Sequence, residues 1–191
     1  MLGEIHAVLA DHGEHFGPEH RIMRVDMAGG PLLDLGTYVV AFATKILGRP
    51  ASVQAAGQWA PSGVNGQASI VLTHTGDAQS VLHTTLFSNT PCQAVVAGSE
   101  ATLLIPGSFY APGNFTIVSN DNVTRLHYSE EPNRYTQLFH EAIHFAKCVG
   151  EGLTDSPLRP LSDTITMLEV MDEVRRQLGI VFNEERGEQG R

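Results

Sequence analysis

Two short constellations in this chain pair residue types that can do chemistry. The first is His140-Glu141-Ala142-Ile143-His144, the letter pattern H-E-x-x-H. On a helix, histidines four apart lie on one face and can grip one zinc ion, and the glutamate between them can activate a bound water. The second is Asp34 and Tyr38, within Ala28-Gly29-Gly30-Pro31-Leu32-Leu33-Asp34-Leu35-Gly36-Thr37-Tyr38. These are also four apart and share a helical face. A phenol beside a carboxylate is a candidate proton-transfer pair. Residue types alone leave a plainer reading open, in which Asp34 only hydrogen-bonds in the first turns and Tyr38 only packs.

The elements that must hold these groups follow from periodicity and breakers. The H-E-x-x-H falls in a helix expected from about Arg134 to Glu151, with Asn133 as N-cap and Gly150 and Gly152 at its end. Its apolar stripe is Leu138, Val149, Ala142, Tyr135, Ala146 and Phe139, flanked by Ile143 and Phe145, and this stripe is the expected core face. His140 and His144 then point the other way, with Thr136, Gln137 and Lys147. A catalytic zinc needs a shielded cleft, a third protein ligand and an open position. Lys147 and Gly150 stand where the extended motif would run on to a third histidine. The histidines are read as a solvated or interface face and no metal ligand is assigned. Replacing both is expected to shift stability by no more than about 0.5–1 kcal/mol. A zinc hydrolase using His140, Glu141 and His144 stands as the rival reading, and a non-catalytic dimeric binding module as a third.

Asp34 and Tyr38 sit in a helix opened by Gly29-Gly30-Pro31 and running to about Leu47, where Gly48 and Pro50 end it. Gly36 inside a helix costs about 1 kcal/mol relative to alanine, so something is expected to pack closely there. Upstream, residues 4–10 read as a short strand and 11–28 as irregular chain. That irregular stretch holds His12, His15 and His20 among Asp11, Glu14 and Glu19, read as a solvated loop with at most incidental metal affinity.

Downstream, strands are expected over 51–59, 66–75, 78–88, 92–97, 101–105, 114–118 and 122–128. Turn residues separate them: Ser62-Gly63, Gly76-Asp77, Ser88-Asn89, Gly98, Pro112-Gly113 and Asn120-Asp121-Asn122. Ala68, Ile70 and Leu72 alternate with Gln67, Ser69 and Thr73, and Ser80, Leu82, Thr84 and Leu86 with Gln79, Val81, His83 and Thr85. Such alternation points to an open, mostly antiparallel sheet covered by helices on one face, an α+β fold. The mixed second face is either wet or a subunit interface. A homodimer or higher homo-oligomer through it would place Thr73, His83 and Thr85 near the contact. A last helix is expected over 163–178, capped by Ser162, with Arg175 and Arg176 in its final turn and Gly179 as the stop. Residues 1–182 make one domain, and 183–191 a disordered tail.

The totals fit this. In 191 residues, 42% are hydrophobic and 17% charged, a globular balance. The net charge of −9 comes with no basic patch, which argues against nucleic acid as a partner. No run of about 18 apolar residues is evident, which argues against a membrane span. Two cysteines make no disulfide framework, and a cytoplasmic protein is the simple reading.

The segment AGGPLLDLGTY resembles the A-G-G-x-L-L-D-x-G-x-Y stretch of the glucose–fructose oxidoreductase / inositol dehydrogenase / MocA family, in its dihydrodiol-dehydrogenase-like branch, where tyrosine replaces a histidine. His20-Arg21-Ile22 is similar to the branch's H-R-L, and Leu47-Gly48-Arg49-Pro50 to its L-G-x-P. Residues 155–161, DSPLRPL, are similar to E-S-P-x-x-P-L, and 171–179, MDEVRRQLG, to the closing D-E-V-R-R-Q-x-G. The resemblance implies the C-terminal, substrate-binding and oligomerising domain of an oxidoreductase that moves a hydride from a sugar, polyol or diol carbinol to a nicotinamide. Carried over, Tyr38 is the acid/base and Asp34 orients the substrate. Arg21 and Asn65 fall at substrate-binding positions, and Gly29 and Gly30 lie toward the cofactor. The cofactor would be NAD or NADP in a longer protein. This chain shows neither the G-x-G-x-x-G of an N-terminal Rossmann domain nor the E-K-P that carries the family's lysine, so bound cofactor and turnover are not expected of it alone. Ser62-Gly63-Val64-Asn65 stands where the branch has T-G-V-D, which exchanges a charge for an amide.

Overall fold

The structure, a computed structural model, describes residues 1–121, 123–130, 138–182 and 185. The expected cap Asn133, the helix start at Arg134, Tyr135, Thr136, Gln137 and the turn residue Asn122 lie outside these, as do tail residues 183–184 and 186–191 and the side chain of Leu138.

Strand β1 (Ile5–Gly13) turns Val8, Ala10 and His12 inward and leaves Leu9 on the opposite side. After it come α1 (Pro31–Asp34), α2 (Gly36–Leu47), β2 (Ser52–Trp59), β3 (Asn65–Thr73) and β4 (Gln79–Thr85). Then follow β5 (Ala94–Gly98), β6 (Ala101–Ile105), β7 (Phe115–Ser119), β8 (Thr124–Tyr128), α3 (Leu138–Gly150) and α4 (Leu161–Leu178). The strands form one eight-stranded sheet in the order β2-β3-β4-β1-β5-β6-β7-β8. Among the described residues only β1 and β4 pair in parallel, from Ala7 opposite Gln79 to Gly13 opposite Thr85. The excursion through α1, α2, β2 and β3 supplies the long crossover that a parallel pair requires.

The alternation seen in the sequence is the alternation of faces. Ile70, Leu72, Leu82 and Thr84 are at most 1% exposed, whereas Val81 on the other face is 48% exposed. Helix α2 lies over β1 and β4, and α4 lies over β2 and along α2. Val39, Val40 and Ala43 of α2 and Val174 of α4 are fully buried there. Residues 25–47 are apolar enough by length and composition to cross a membrane, but this apolarity serves the inward face of α2. Gln177 of α4 also reaches the edge strand β2, accepting from the Ala55 amide at 2.8 Å and donating to the Val53 carbonyl at 2.8 Å. That covers part of a sheet edge that would otherwise be open to pairing.

Three expectations need correction. The irregular stretch begins later than expected, because β1 continues to Gly13. His12 is therefore a buried strand residue, while His15 and His20 stay exposed. Helix α4 begins at Leu161 after Pro160, so Ser162 lies inside it. The Asp155 carboxylate instead takes the first amide, that of Leu161, at 3.0 Å. The orientation of α3 also differs. Phe139 and Val149, expected in the core, are 50% and 61% exposed, and Ala142 and Ala146 are exposed too. Among the side chains described in that helix, Cys148 is the buried one. Its inward side carries His144 and Cys148, and its apolar stripe faces out.

Candidate functional site

Between β1 and α1 the chain makes two single 3₁₀ turns, Arg21–Met23 and Val25–Met27. Ile22 anchors them, 2% exposed in a small satellite core with Leu35, Ala60, Val64 and Leu86. This anchor sets Arg21 at the surface, where its Nη2 meets Asp34 Oδ2 at 3.1 Å. Both side chains keep solvent access, 63% and 37%, so the pair is worth at most about 1 kcal/mol and opens easily to another polar ligand.

Gly29 and Gly30 close the turn under Asp34. The Gly29 amide donates to Arg24 O at 2.9 Å and the Gly30 amide to Ile22 O at 2.8 Å. Gly30 has φ 124°, and an added Cβ would come within 3.1 Å of the Asn65 carbonyl, so a side chain there is opposed twice. Arg21, Ile22, Ala28, Gly29, Gly30, Leu33 and Asp34 line one open groove of about 330 Å³.

Asn65 sits beneath this groove. It is 3% exposed, and its Nδ2 donates to the Gln67 carbonyl at 3.0 Å, so it reaches the groove only through the backbone of Gly30. Arg175 of α4 lines a small cavity beside the same turn, together with Asn65, Gly29 and Gly30. Arg175 is held in turn by Asp172 at 3.0 Å, by Glu185 at 2.6 Å and over the Phe182 ring at 4.3 Å.

The expected single helix over 31–47 is divided. Asp34 ends α1, Leu35 (φ −83°, ψ −34°) forms the joint, and Tyr38 lies in the first turn of α2. Thr37 Oγ1 donates to the Asp34 carbonyl at 2.8 Å across the joint. The close packing expected at Gly36 is present: an added Cβ would lie 3.3 Å from Leu32 Cδ1 and 3.6 Å from Thr84 Cγ2. Tyr38 is 42% exposed and does not line the groove. Its ring meets His12 at 5.0 Å and Tyr110 at 4.5 Å between centroids. Residue types had not singled out either neighbour. The one signal for His12 was a polar residue continuing the inward alternation of Val8 and Ala10.

Burial pushes the His12 pKa below the usual imidazole value, opposed by the Glu14 carboxylate, the nearby Leu35 backbone, and Asp11 and Asp34. In order of chain, Arg21, Gly29, Gly30 and Asp34 are brought together around one groove, Tyr38 stands one helical turn away, and Asn65 lies below.

The H-E-x-x-H is not assembled as a metal centre. His140 is exposed, while His144 Nε2 is engaged by Ser156 Oγ at 2.8 Å and lies 3.5 Å from Cys148 Sγ. Among the described residues no group of three or more His, Cys, Asp or Glu side chains is placed to share an ion. The motif instead borders a groove of about 740 Å³ between α3 and the loop before α4. His144 therefore has a small structural role that an exposed face would not give it. His144→Ala is expected to lower unfolding free energy by about 1 kcal/mol, the net worth of one hydrogen bond, and His140→Ala by less. Urea unfolding of the two single variants checks this, and a loss of several kcal/mol for either would contradict it.

Comparison with known proteins bears on the family and the fold. The family model described as the GFO/IDH/MocA C-terminal domain matches residues 1–104. A trans-1,2-dihydrobenzene-1,2-diol dehydrogenase of Xenopus tropicalis is 29% identical over 186 residues, covering 95% of this chain and 56% of the relative. A scyllo-inositol 2-dehydrogenase (NADP(+)) of Bacillus subtilis (strain 168) is 27% identical over 157 residues, covering 82% of this chain and 47% of the relative. This chain thus spans about half the length of the curated relatives it matches. Among solved structures, an aldose-aldose oxidoreductase from Caulobacter crescentus complexed with glycerol superposes with a TM-score of 0.75 at 22% identity, over 92% of this chain and 54% of the other. At that identity the likeness speaks for the fold.

Proposed function

Because the chain belongs to the GFO/IDH/MocA family through that family's C-terminal domain, we propose that it is the substrate-facing and dimerising half of an NAD(P)-dependent oxidoreductase acting on a sugar, polyol or diol carbinol. The observation that carries this is the groove. One cation, one carboxylate and a bare glycine backbone converge on it, with a phenol one helical turn away.

The chain's own residues fit a nicotinamide cofactor only in part. The amides of Gly29 and Gly30 are both spent within the turn, so neither is free for a phosphate. Their lack of side chains leaves a flat surface against which a ring can lie. The phosphates require the part of the longer protein that this chain does not include, and NAD or NADP is selected there. When bound, the oxidised nicotinamide supplies the hydride acceptor. Asp34 and Arg21 hold the substrate hydroxyls, exchanging their mutual contact for contacts to the ligand, and Tyr38 takes up or returns the proton of the reacting hydroxyl.

The open face of the sheet supports self-association. Val71 pairs in register with Val81, Val81 with Leu9, Leu9 with Val95 and Val95 with Leu104. Paired residues share a face, so these five apolar side chains form one continuous row across five strands. Leu9, Val81 and Leu104 are 43%, 48% and 40% exposed, a contiguous patch of the kind that marks association surfaces. Thr85, expected at the contact, is 1% exposed and donates to Gln67 Oε1 at 3.2 Å, so it is internal to its own sheet. Light scattering of this chain is expected to report a dimer, and Val81→Asp combined with Leu9→Asp a monomer. A clean monomer of the parent at high micromolar concentration would remove the dimer proposal. Activity is tested on the longer protein with NAD and NADP against a panel of polyols, aldoses and cyclic diols. Formation of reduced nicotinamide is expected with at least one member, and none with any would overturn the assignment.

A further inference from the structure

Strand β1 sends Val8, Ala10 and His12 toward the helices, and the first two are ordinary core. His12 differs. It is 4% exposed, stands edge-on to the Tyr38 ring at an interplanar angle of 75°, and stacks on Tyr110 at 4.8 Å and 28°. Tyr110 closes the triangle by meeting Tyr38 at 4.5 Å. Three rings from three distant parts of the chain thus hold one another.

An imidazole is a poor choice for filling such a space. Its Nδ1 is buried with no hydrogen-bond partner among the described residues. A phenyl ring would fill the space without that cost. What the imidazole adds is a ring that can take up charge: Glu14, the Leu35 backbone, Asp11 and Asp34 all favour its charged form against burial. Its edge lies on the Tyr38 ring and its face on Tyr110. A phenyl ring could hold the phenol in place. Only an imidazole also reports on it through its own titration.

We propose that His12 is a positioning residue of this site, which holds the Tyr38 ring through its edge contact and Tyr110 through stacking, and so fixes where the phenol stands relative to the Asp34 carboxylate. This rests on the reading of Asp34 and Tyr38 as the reacting pair. The charged and titratable groups around His12 are Asp11 and Glu14 from its own segment, Asp34 from α1, Tyr38 from α2 and Tyr110 from the loop after β6. Arg21 partners Asp34. Burial keeps His12 neutral near pH 7, and protonation at lower pH puts a cation into the ring cluster.

The test has two arms. In this chain, with ¹³C-labelled tyrosine, the Tyr38 ring signals are assigned by their loss in Tyr38→Phe. Between pH 7 and 4.5 those signals are expected to move together with the titration of His12, and His12→Phe is expected to abolish that movement. Tyr38 signals that ignore the His12 titration in the parent overturn the proposal, and this measurement needs no His12 variant to fold. In the longer protein, His12→Ala, which removes both ring contacts, is expected to lower kcat between about 10- and 100-fold through misplacement, with KM changed less than about twofold. Parent-like kcat in His12→Ala overturns the positioning role. If instead Tyr38→Phe leaves kcat unchanged, the reading of Tyr38 fails while the NMR arm still decides whether His12 and Tyr38 are coupled.

Discussion

Tyr38→Phe in the proposed longer oxidoreductase is expected to lower kcat by about 10²–10⁴-fold, the usual contribution of one general acid–base group. The substitution removes only a hydroxyl. The ring stays, and with it the contacts to His12 and Tyr110. Because Tyr38 is 42% exposed, its hydroxyl can be lost without leaving a buried polar group unpaired, and the fold is expected to be unchanged. Asp34→Asn should act differently. The amide keeps the shape but loses the charge that holds Arg21 at 3.1 Å, so substrate binding weakens and much of the effect falls on KM. Steady-state kinetics of both variants, with thermal unfolding as the control for folding, check the pair. An unchanged kcat in Tyr38→Phe would return Tyr38 to packing.

The largest expected loss of stability is Leu82→Ala, about 2–5 kcal/mol. Leu82 is fully buried at the centre of the sheet, paired with Ile70 of β3 and Ala10 of β1, with α2 lying over β4. The strand on one side presents only an alanine, and the sheet hydrogen bonds fix the spacing, so the space left by the leucine cannot close well. Three residues earlier on the same strand, Gln79 is exposed, and Gln79→Ala should stay within about 0.5 kcal/mol. Urea unfolding with an unchanged denaturant slope checks both. A Leu82→Ala loss below about 1 kcal/mol would mean that the core repacks around it.

Local sequence was informative wherever a property belongs to one element. The alternation in β3 and β4 names their buried faces without reference to any neighbour, because side chains on a strand alternate by geometry. Pro31 and Gly48 bound the α1–α2 region for similarly local reasons, the proline by its fixed φ and the glycine by its φ of 73°. The segments His20-Arg21-Ile22 and AGGPLLDLGTY likewise carried the family resemblance and with it the groove residues Arg21, Gly29, Gly30 and Asp34, which the fold gathers.

Tertiary structure decided what depends on which surface is covered. The apolar stripe of α3 was legible, but periodicity states only that a stripe exists. Phe139, Phe145 and Val149 are 50%, 69% and 61% exposed, because the described chain packs the His144–Cys148 side inward. Asn65 had the residue type of a ligand-binding group, yet it lies beneath Gly30, since β3 pairs on both sides and carries it inside. His12 looked like one of several histidines in a polar stretch. Its burial follows from the parallel pairing of β1 with β4, residue His12 opposite Thr84, under helix α2. That pairing joins segments about 70 residues apart, and no local pattern encodes a contact between segments so distant in the chain.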